Sequence, residues 1–150
     1  MHEVEHLGTA ECWRLVREAP YGRLVLWVDE RPHVLPVNHV VDHGSLVFRT
    51  APDSLVAAAT AAGVVAFQVD GYTRDVDRAW SVTVKGRCIQ VRNLHELVAG
   101  AGLPIFPWQA GPKNLLIRLE PDEVHGRRFT RAAPTASASP LHRTWPSGLE

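Results

Sequence analysis

The sequence predicts a mainly β domain with a few short helices, built as an antiparallel barrel or sheet whose ends the helices cover. Three observations carry this. Short apolar runs, several rich in valine, recur along the chain with turn residues between them. Helical spacing is confined to short segments. The runs also follow one another across tight turns, without the regular strand–helix–strand alternation of a parallel sheet. A half-open barrel of six or seven strands tends to pair with a second copy that buries its exposed face.

Taken in order, Thr9 is placed to cap a first helix, and Glu11 lies in its first turn where the helix dipole favours an acid. Cys12, Leu15, Val16 and Ala19 then fall on one face, and Pro20 and Gly22 end the helix. Residues 24–28 read as a buried strand whose Trp27 fills the core, and residues 29–32 as a turn. Residues 33–41 form a second strand with Pro36 inside it. A strand proline cannot donate to the ladder, so Pro36 marks an edge, a bulge or a ligand-facing position. Residues 42–44 turn the chain into a third strand at 45–50, which completes a meander.

Pro52 and Asp53 open a second helix with an alanine-rich body over 55–62, ended by Gly63. Residues 64–70 are a fourth strand and 71–78 a polar loop, and Asp70, Asp75 and Asp77 around it are solvated. The fifth strand, 80–91, alternates Val82, Val84 and Cys88 against Thr83 and Lys85, and Gly86 inside it marks a bulge or barrel corner. Asn93 and Glu96 resemble a capping box that opens a third helix to about residue 101. A Pro/Gly-rich loop carries Phe106 and Trp108. The sixth strand, 114–119, continues as 123–129 past a kink at Pro121. Residues 1–130 thus read as one domain, and 131–150, dominated by Ala, Pro, Ser and Thr, as a flexible tail.

The 150 residues balance 16 basic against 16 acidic side chains, for a net charge of zero. No basic field serves nucleic acid or an anionic membrane, and no apolar run approaches the ~20 residues of a membrane span. The first residues are polar and acidic, unlike a secretory leader, which points to a cytoplasmic protein. Cys12 and Cys88 lie far apart with no metal-ligand spacing, and read as two reduced, buried thiols. His39 and His43 are four apart, but along a strand and turn that spacing does not aim both at one metal. No nucleophile-elbow, metalloprotease or phosphate-loop motif occurs.

The segment from Ser45 to Leu55 is the most informative. A strand ends in Arg49 and Thr50 and turns into the start of a helix at residues 52–54. Arg49 can offer a charge-assisted fork to a phosphate, Thr50 and Ser54 supply hydroxyls, and a helix N-terminus adds free N–H groups. Taken alone, the segment reads more simply as an exposed arginine beside an ordinary cap.

In their order and spacing, four segments resemble the pyridoxamine 5′-phosphate oxidase-like flavin-binding split barrels: residues 31–39, 46–50 with Ser54, 80–87, and 121–127. The resemblance covers roughly residues 9–129. It implies a six- to seven-stranded antiparallel split barrel and a homodimer with FMN in a groove between the two chains. It puts Arg49, Thr50 and Ser54 on the phosphate, with Leu55 following in the same turn and His39 nearby. Pro36, Val37 and Asn38 would face the isoalloxazine, Ser81 its pyrimidine edge, and Trp80 and Trp108 would wall the site. The two tryptophans fit core packing equally well. In the vitamin-processing oxidases the residues after the phosphate serine are basic; here they are Leu55 and Val56. No basic C-terminal motif for a pyridoxal phosphate group is present either, so the resemblance stops short of a true pyridoxamine phosphate oxidase.

These expectations give three functions to separate. The first is an FMN-dependent oxidoreductase in which a nicotinamide or other small donor reduces the flavin, which passes electrons to a small organic acceptor. The second is a non-catalytic carrier or sensor of flavin, deazaflavin or haem. The third is a barrel interaction module with no cofactor.

Overall fold

The structure is a computed structural model that describes residues 3–50, 58–91 and 115–130, without the side chains of Thr50 and Leu115. It contains β1 (Glu3–Leu7), α1 (Thr9–Glu18), β2 (Gly22–Val28), β3 (Arg31–Val37), β4 (His39–Asp42), β5 (Ser45–Thr50), a 3-10 turn at Ala59–Ala61, β6 (Val64–Thr73), β7 (Arg78–Val91) and β8 (Leu115–Thr130). All strand pairs are antiparallel. The expected second helix is described only in part, as the 3-10 turn. The third helix and the tail lie outside the described residues, as do Ser54, Leu55 and Trp108.

The strand order is β3-β2-β6-β7-β8-β5-β4, with β1 paired to β8. The two ends of that order, β3 and β4, are consecutive in the chain and separated only by Asn38. The run over 31–42 therefore bends at Asn38: its first half pairs with β2 and its second with β5. That continuity rolls the sheet into a split barrel, with one short helix packed against it. Pro36 lies on β3, at an end of the strand order, opposite Arg23, so the proline marks an edge.

The barrel interior follows the two-residue period of its strands. Leu24 and Leu26, Val65, Phe67 and Val69, Val82 and Val84, Leu46 and Phe48, and Ile117 and Leu119 are all buried. Each such side chain contributes roughly 1.5–3 kcal/mol relative to exposure. Cys12, Leu15 and Val16, three of the four residues of the expected helical stripe, join this cluster from α1. The helix is capped by Gly8 with no side-chain bond, so Thr9 is its first residue and not its cap. Arg128 on β8 ties the helix down by donating to Glu11 at 2.9 Å. A second small cluster, Val47, Val91 and Leu116, is buried on the other side of the β5–β8–β7 sheet. The turn between β4 and β5 is locked from β8, where the Arg118 guanidinium bonds Asp42 Oδ2 at 2.9 Å and also reaches Ser45.

Two expectations need correction. Trp27 does not fill the core: it faces outward and is 60% exposed. Its neighbours Leu24 and Leu26 hold the inward positions, so a two-residue period puts Trp27 outside. Residues 3–7 are not merely a polar terminus. They form β1, whose Glu5 and His6 pair with Arg128 and Arg127.

The β7–β8 ladder is the longest in the molecule and shifts register between Lys85 and Gly86, where Gly86 meets Pro121. A Cβ on Gly86 would lie 1.9 Å from the Glu120 carbonyl oxygen, so only glycine allows this approach. Gly86→Ala is expected to lower stability by about 3 kcal/mol, read as a lower urea midpoint.

His39 is 8% exposed, lies edge-on to Phe67 at 4.9 Å, and donates from Nε2 to the Val16 carbonyl at 2.8 Å. That bond sets the neutral tautomer with Nδ1 unprotonated, and burial pushes the ring's pKa below its ordinary 6.5. The unfolded chain therefore binds the extra proton. His39's contribution is complete above about pH 6.5 and is lost as pH falls below it. His39→Phe should flatten this part of the stability–pH curve; an unchanged slope would refute the assignment.

Candidate functional site

The predicted site residues fall into two groups. The first gathers at the bend between β3 and β4. Pro36 is exposed, Val37 turns its side chain into the core, and Asn38 is half-buried, so Val37 has only backbone to offer a ligand. His39 pairs with Phe48 across the β4–β5 ladder, and one further step sets Asn38 beside Arg49. Arg49 is exposed at the end of β5, and no carboxylate pairs with it among the described residues. Thr50 follows it on the same strand. His39 stands apart from this group: its ring lies inside the barrel and is committed to Val16, so it brings no charge to a phosphate at Arg49.

Trp80 and Ser81, on β7, form the second group. The Trp80 indole lies against Gly71, with ring atoms 2.6 Å from where a Cβ added at position 71 would stand. One part of the indole packs on the core, and the remainder walls two clefts, so it combines both roles open to it. One cleft, of 350 Å³, lies against Glu18, Tyr21 and Arg23; the other, of 400 Å³, against Tyr72, Ser81 and Phe129.

The two groups do not converge within one chain. Across the barrel's outer surface Pro36 pairs with Arg23, Arg23 with Gln68, and Gln68 with Thr83. Three strand spacings separate Pro36 from Thr83, roughly 14 Å. Arg23 fills the interval, bonded to Gln68 and Asp70 at 3.2 Å each.

A third feature was not singled out in the sequence. Alternation puts Ser81, Thr83 and Lys85 on the outer face of β7, directly opposite Arg127, His125 and Glu123 on β8, and His6 of β1 stands opposite Arg127. All of these but Glu123 line a groove of 380 Å³. The alternation within each strand was readable. The register that brings 81–85 against 123–127 was not, because pairing of distant segments leaves no local signal.

Among the described residues no group of His, Cys, Asp or Glu is placed to hold a metal ion. His43 is turned out at the β4–β5 turn beside Asp42, away from His39's pocket. Cys12 and Cys88 are free and buried, and burial pushes the Cys88 thiol up to about 11, out of reach of nucleophilic chemistry near neutral pH. No helix among the described residues is long and apolar enough to cross a membrane.

Comparison with known proteins places this architecture. An uncharacterized protein of Mycobacterium tuberculosis is 30% identical over 138 residues, covering 89% of this chain and 90% of that one. The structure of a FAD binding protein from Mycobacterium smegmatis superposes with a TM-score of 0.71 at 32% identity, covering 83% of this chain and 98% of the other. A candidate pyridoxamine 5′-phosphate oxidase from Corynebacterium glutamicum matches with a TM-score of 0.72 at 29% identity, covering 87% and 96%. The family model for pyridoxamine 5′-phosphate oxidase matches residues 8–128, from the start of α1 through the groove strand β8. The chain therefore belongs to the pyridoxamine 5′-phosphate oxidase-like family of split barrels.

Proposed function

We propose that this protein is a flavin-dependent oxidoreductase that works as a homodimer on a small molecule. The observation that carries the reading is the 32%-identical FAD binding neighbour, which matches this chain over most of its length. The residues present suit a flavin. Arg49 is exposed and free of any described carboxylate, as a phosphate ligand should be. Pro36 and the Val37 backbone offer a flat edge without competing side-chain hydrogen bonds, and Asn38 supplies a polar contact beside them. In this reading Thr50, Ser54 and Leu55 would follow Arg49 on the phosphate, and Trp80, Ser81 and Trp108 would wall the ring; Ser54, Leu55 and Trp108 lie outside the described residues. When bound, the flavin would supply two-electron redox chemistry; the chain's part is to hold, orient and tune it.

The separation of the Arg49 group from the Trp80–Ser81 group on one chain supports a site completed by a second copy. The outer face also carries an apolar patch suited to a second copy. Trp27, Val34 and Val64 are each more than half exposed, and Val25, Pro32 and Ala66 lie among them. FMN is the cofactor of the first reading. FAD is the flavin of the neighbour, and titration with each decides between them.

A non-catalytic carrier of flavin, deazaflavin or haem is the second reading. Leu55 and Val56 favour it, because they stand where the vitamin-processing oxidases place basic residues. A bound flavin that no nicotinamide reduces in stopped-flow would select the carrier.

Arg49→Ala is expected to weaken flavin binding about 10- to 100-fold, followed by quenching of flavin fluorescence; unchanged affinity would remove Arg49 from the site. Trp27→Glu is expected to convert the dimer to a monomer in light scattering. A dimer that persists would place the interface elsewhere.

A further inference from the structure

We propose that His39 is a proton-operated latch: when neutral it fastens the end of α1 to the bend between β3 and β4, and on taking up a proton it lets both go. The latch makes His39 a positioning residue for the face that carries Pro36, Asn38 and Arg49. Only that last step rests on the flavin reading; the latch itself has its own physical basis. In a continuing helix the Val16 carbonyl would accept from the N–H of residue 20, but that residue is a proline and has none. The Ala19 N–H already goes to the Leu15 carbonyl at 3.1 Å. Val16 is fully buried, so its carbonyl cannot turn to water instead. His39 supplies the missing donor from another element, at 2.8 Å. It is also the first residue of β4, with only Asn38 between it and β3. One side chain thus ties the helix end to the bend.

The same ring has no place for a second proton. Nδ1 is buried and has no hydrogen-bond partner among the described residues. Phe67 lies edge-on to the ring at 4.9 Å, and Phe48 is opposite it on the ladder. Charged groups on the surrounding elements are turned or committed elsewhere. On α1, Arg14 bonds Glu11 and Glu18, Arg17 is exposed, and burial keeps the Cys12 thiol neutral. On β4 itself, Asp42 is held by Arg118 and His43 is exposed. Arg49 on β5 is exposed, and Asp70 on β6 bonds Arg23. His33 is six residues back along β3, roughly 20 Å away. The negative end of α1 favours a cation, but burial outweighs it and pushes the ring's pKa down. A protonated ring inside the barrel would hold an uncompensated charge and an unpaired N–H. Swinging to water relieves both, breaks the bond to Val16 and draws the start of β4 with it.

The test is amide hydrogen exchange on the full-length protein from about pH 7.5 to pH 5, with rates corrected for their intrinsic pH dependence. In wild type, residues 15–19 and 39–41 should lose protection about tenfold per pH unit below about 6.5, because one proton drives the opening. Residues 65–69 of β6 should keep theirs, and in each variant they show that the barrel is folded. His39→Gln keeps a donor near the place of Nε2 and takes up no proton, so its protection should not change with pH. His39→Phe keeps the bulk and loses the donor, so residues 15–19 should be poorly protected at every pH. A wild-type slope that is absent, that persists in His39→Gln, or that residues 65–69 share overturns the latch. Saturating FAD at neutral pH then tests the link to the ligand face. At 100 times its Kd it should slow exchange at residues 39–41 and 15–19 together by about 100-fold, because it binds the fastened form. Slowing at 39–41 without slowing at 15–19 overturns the positioning role. If FAD does not bind but exchange follows His39, the latch stands and the flavin reading fails.

Discussion

The close approach of Gly86 to the Glu120 carbonyl governs this structure. The β7–β8 ladder is too long to remain one flat ribbon: one stretch must pair with β6 and β1 and the other with β5. The register shift at Gly86, where β8 carries Asp122 as an extra residue between Pro121 and Glu123, lets the two strands change direction together. On one side of that corner the outward positions form the groove. On the other they form the buried cluster of Val47, Val91 and Leu116. Any side chain at position 86 would push β8 away and lose both.

The outer surface is graded as a result. Its β2–β3 end is apolar and exposed, with Trp27 and Val34; its middle is a neutralised network of Arg23, Gln68 and Asp70; its β7–β8 end is polar, with Thr83, Lys85 paired to Glu123, and Arg127. The barrel interior, by contrast, holds little chemistry. His39 is its main polar side chain near the bend, and that ring serves the helix through Val16.

Much of the fold was legible because strands advertise themselves locally. The alternation of Val82 and Val84 against Thr83 and Lys85, the bulge glycine, and the edge proline at Pro36 all follow from period and backbone chemistry. Trp27 misled because size and apolarity suggest burial, whereas its parity relative to Leu24 and Leu26 sends it outward. β1 was hidden because Glu3, Glu5 and His6 look like a solvated tail, and only β8 gives them a partner. At the candidate site, the grouping of Pro36, Asn38 and Arg49 could be anticipated from motif order. His39's commitment to Val16 and the groove itself depend on long-range register, which no window of sequence contains.

The split that gives the barrel its shape leaves β3 with hydrogen-bonding groups on the side away from β2. Such a border ordinarily invites another strand to add on, the first step towards fibrous self-assembly. Here two of its seven residues, Pro32 and Pro36, have no N–H to give. The prolines share one edge of the strand, so this border, which no described residue pairs with, is rich in carbonyl acceptors and poor in donors. An incoming strand needs both in alternation. The opening in the barrel can thus remain accessible to small molecules while being a poor template for another copy of the chain.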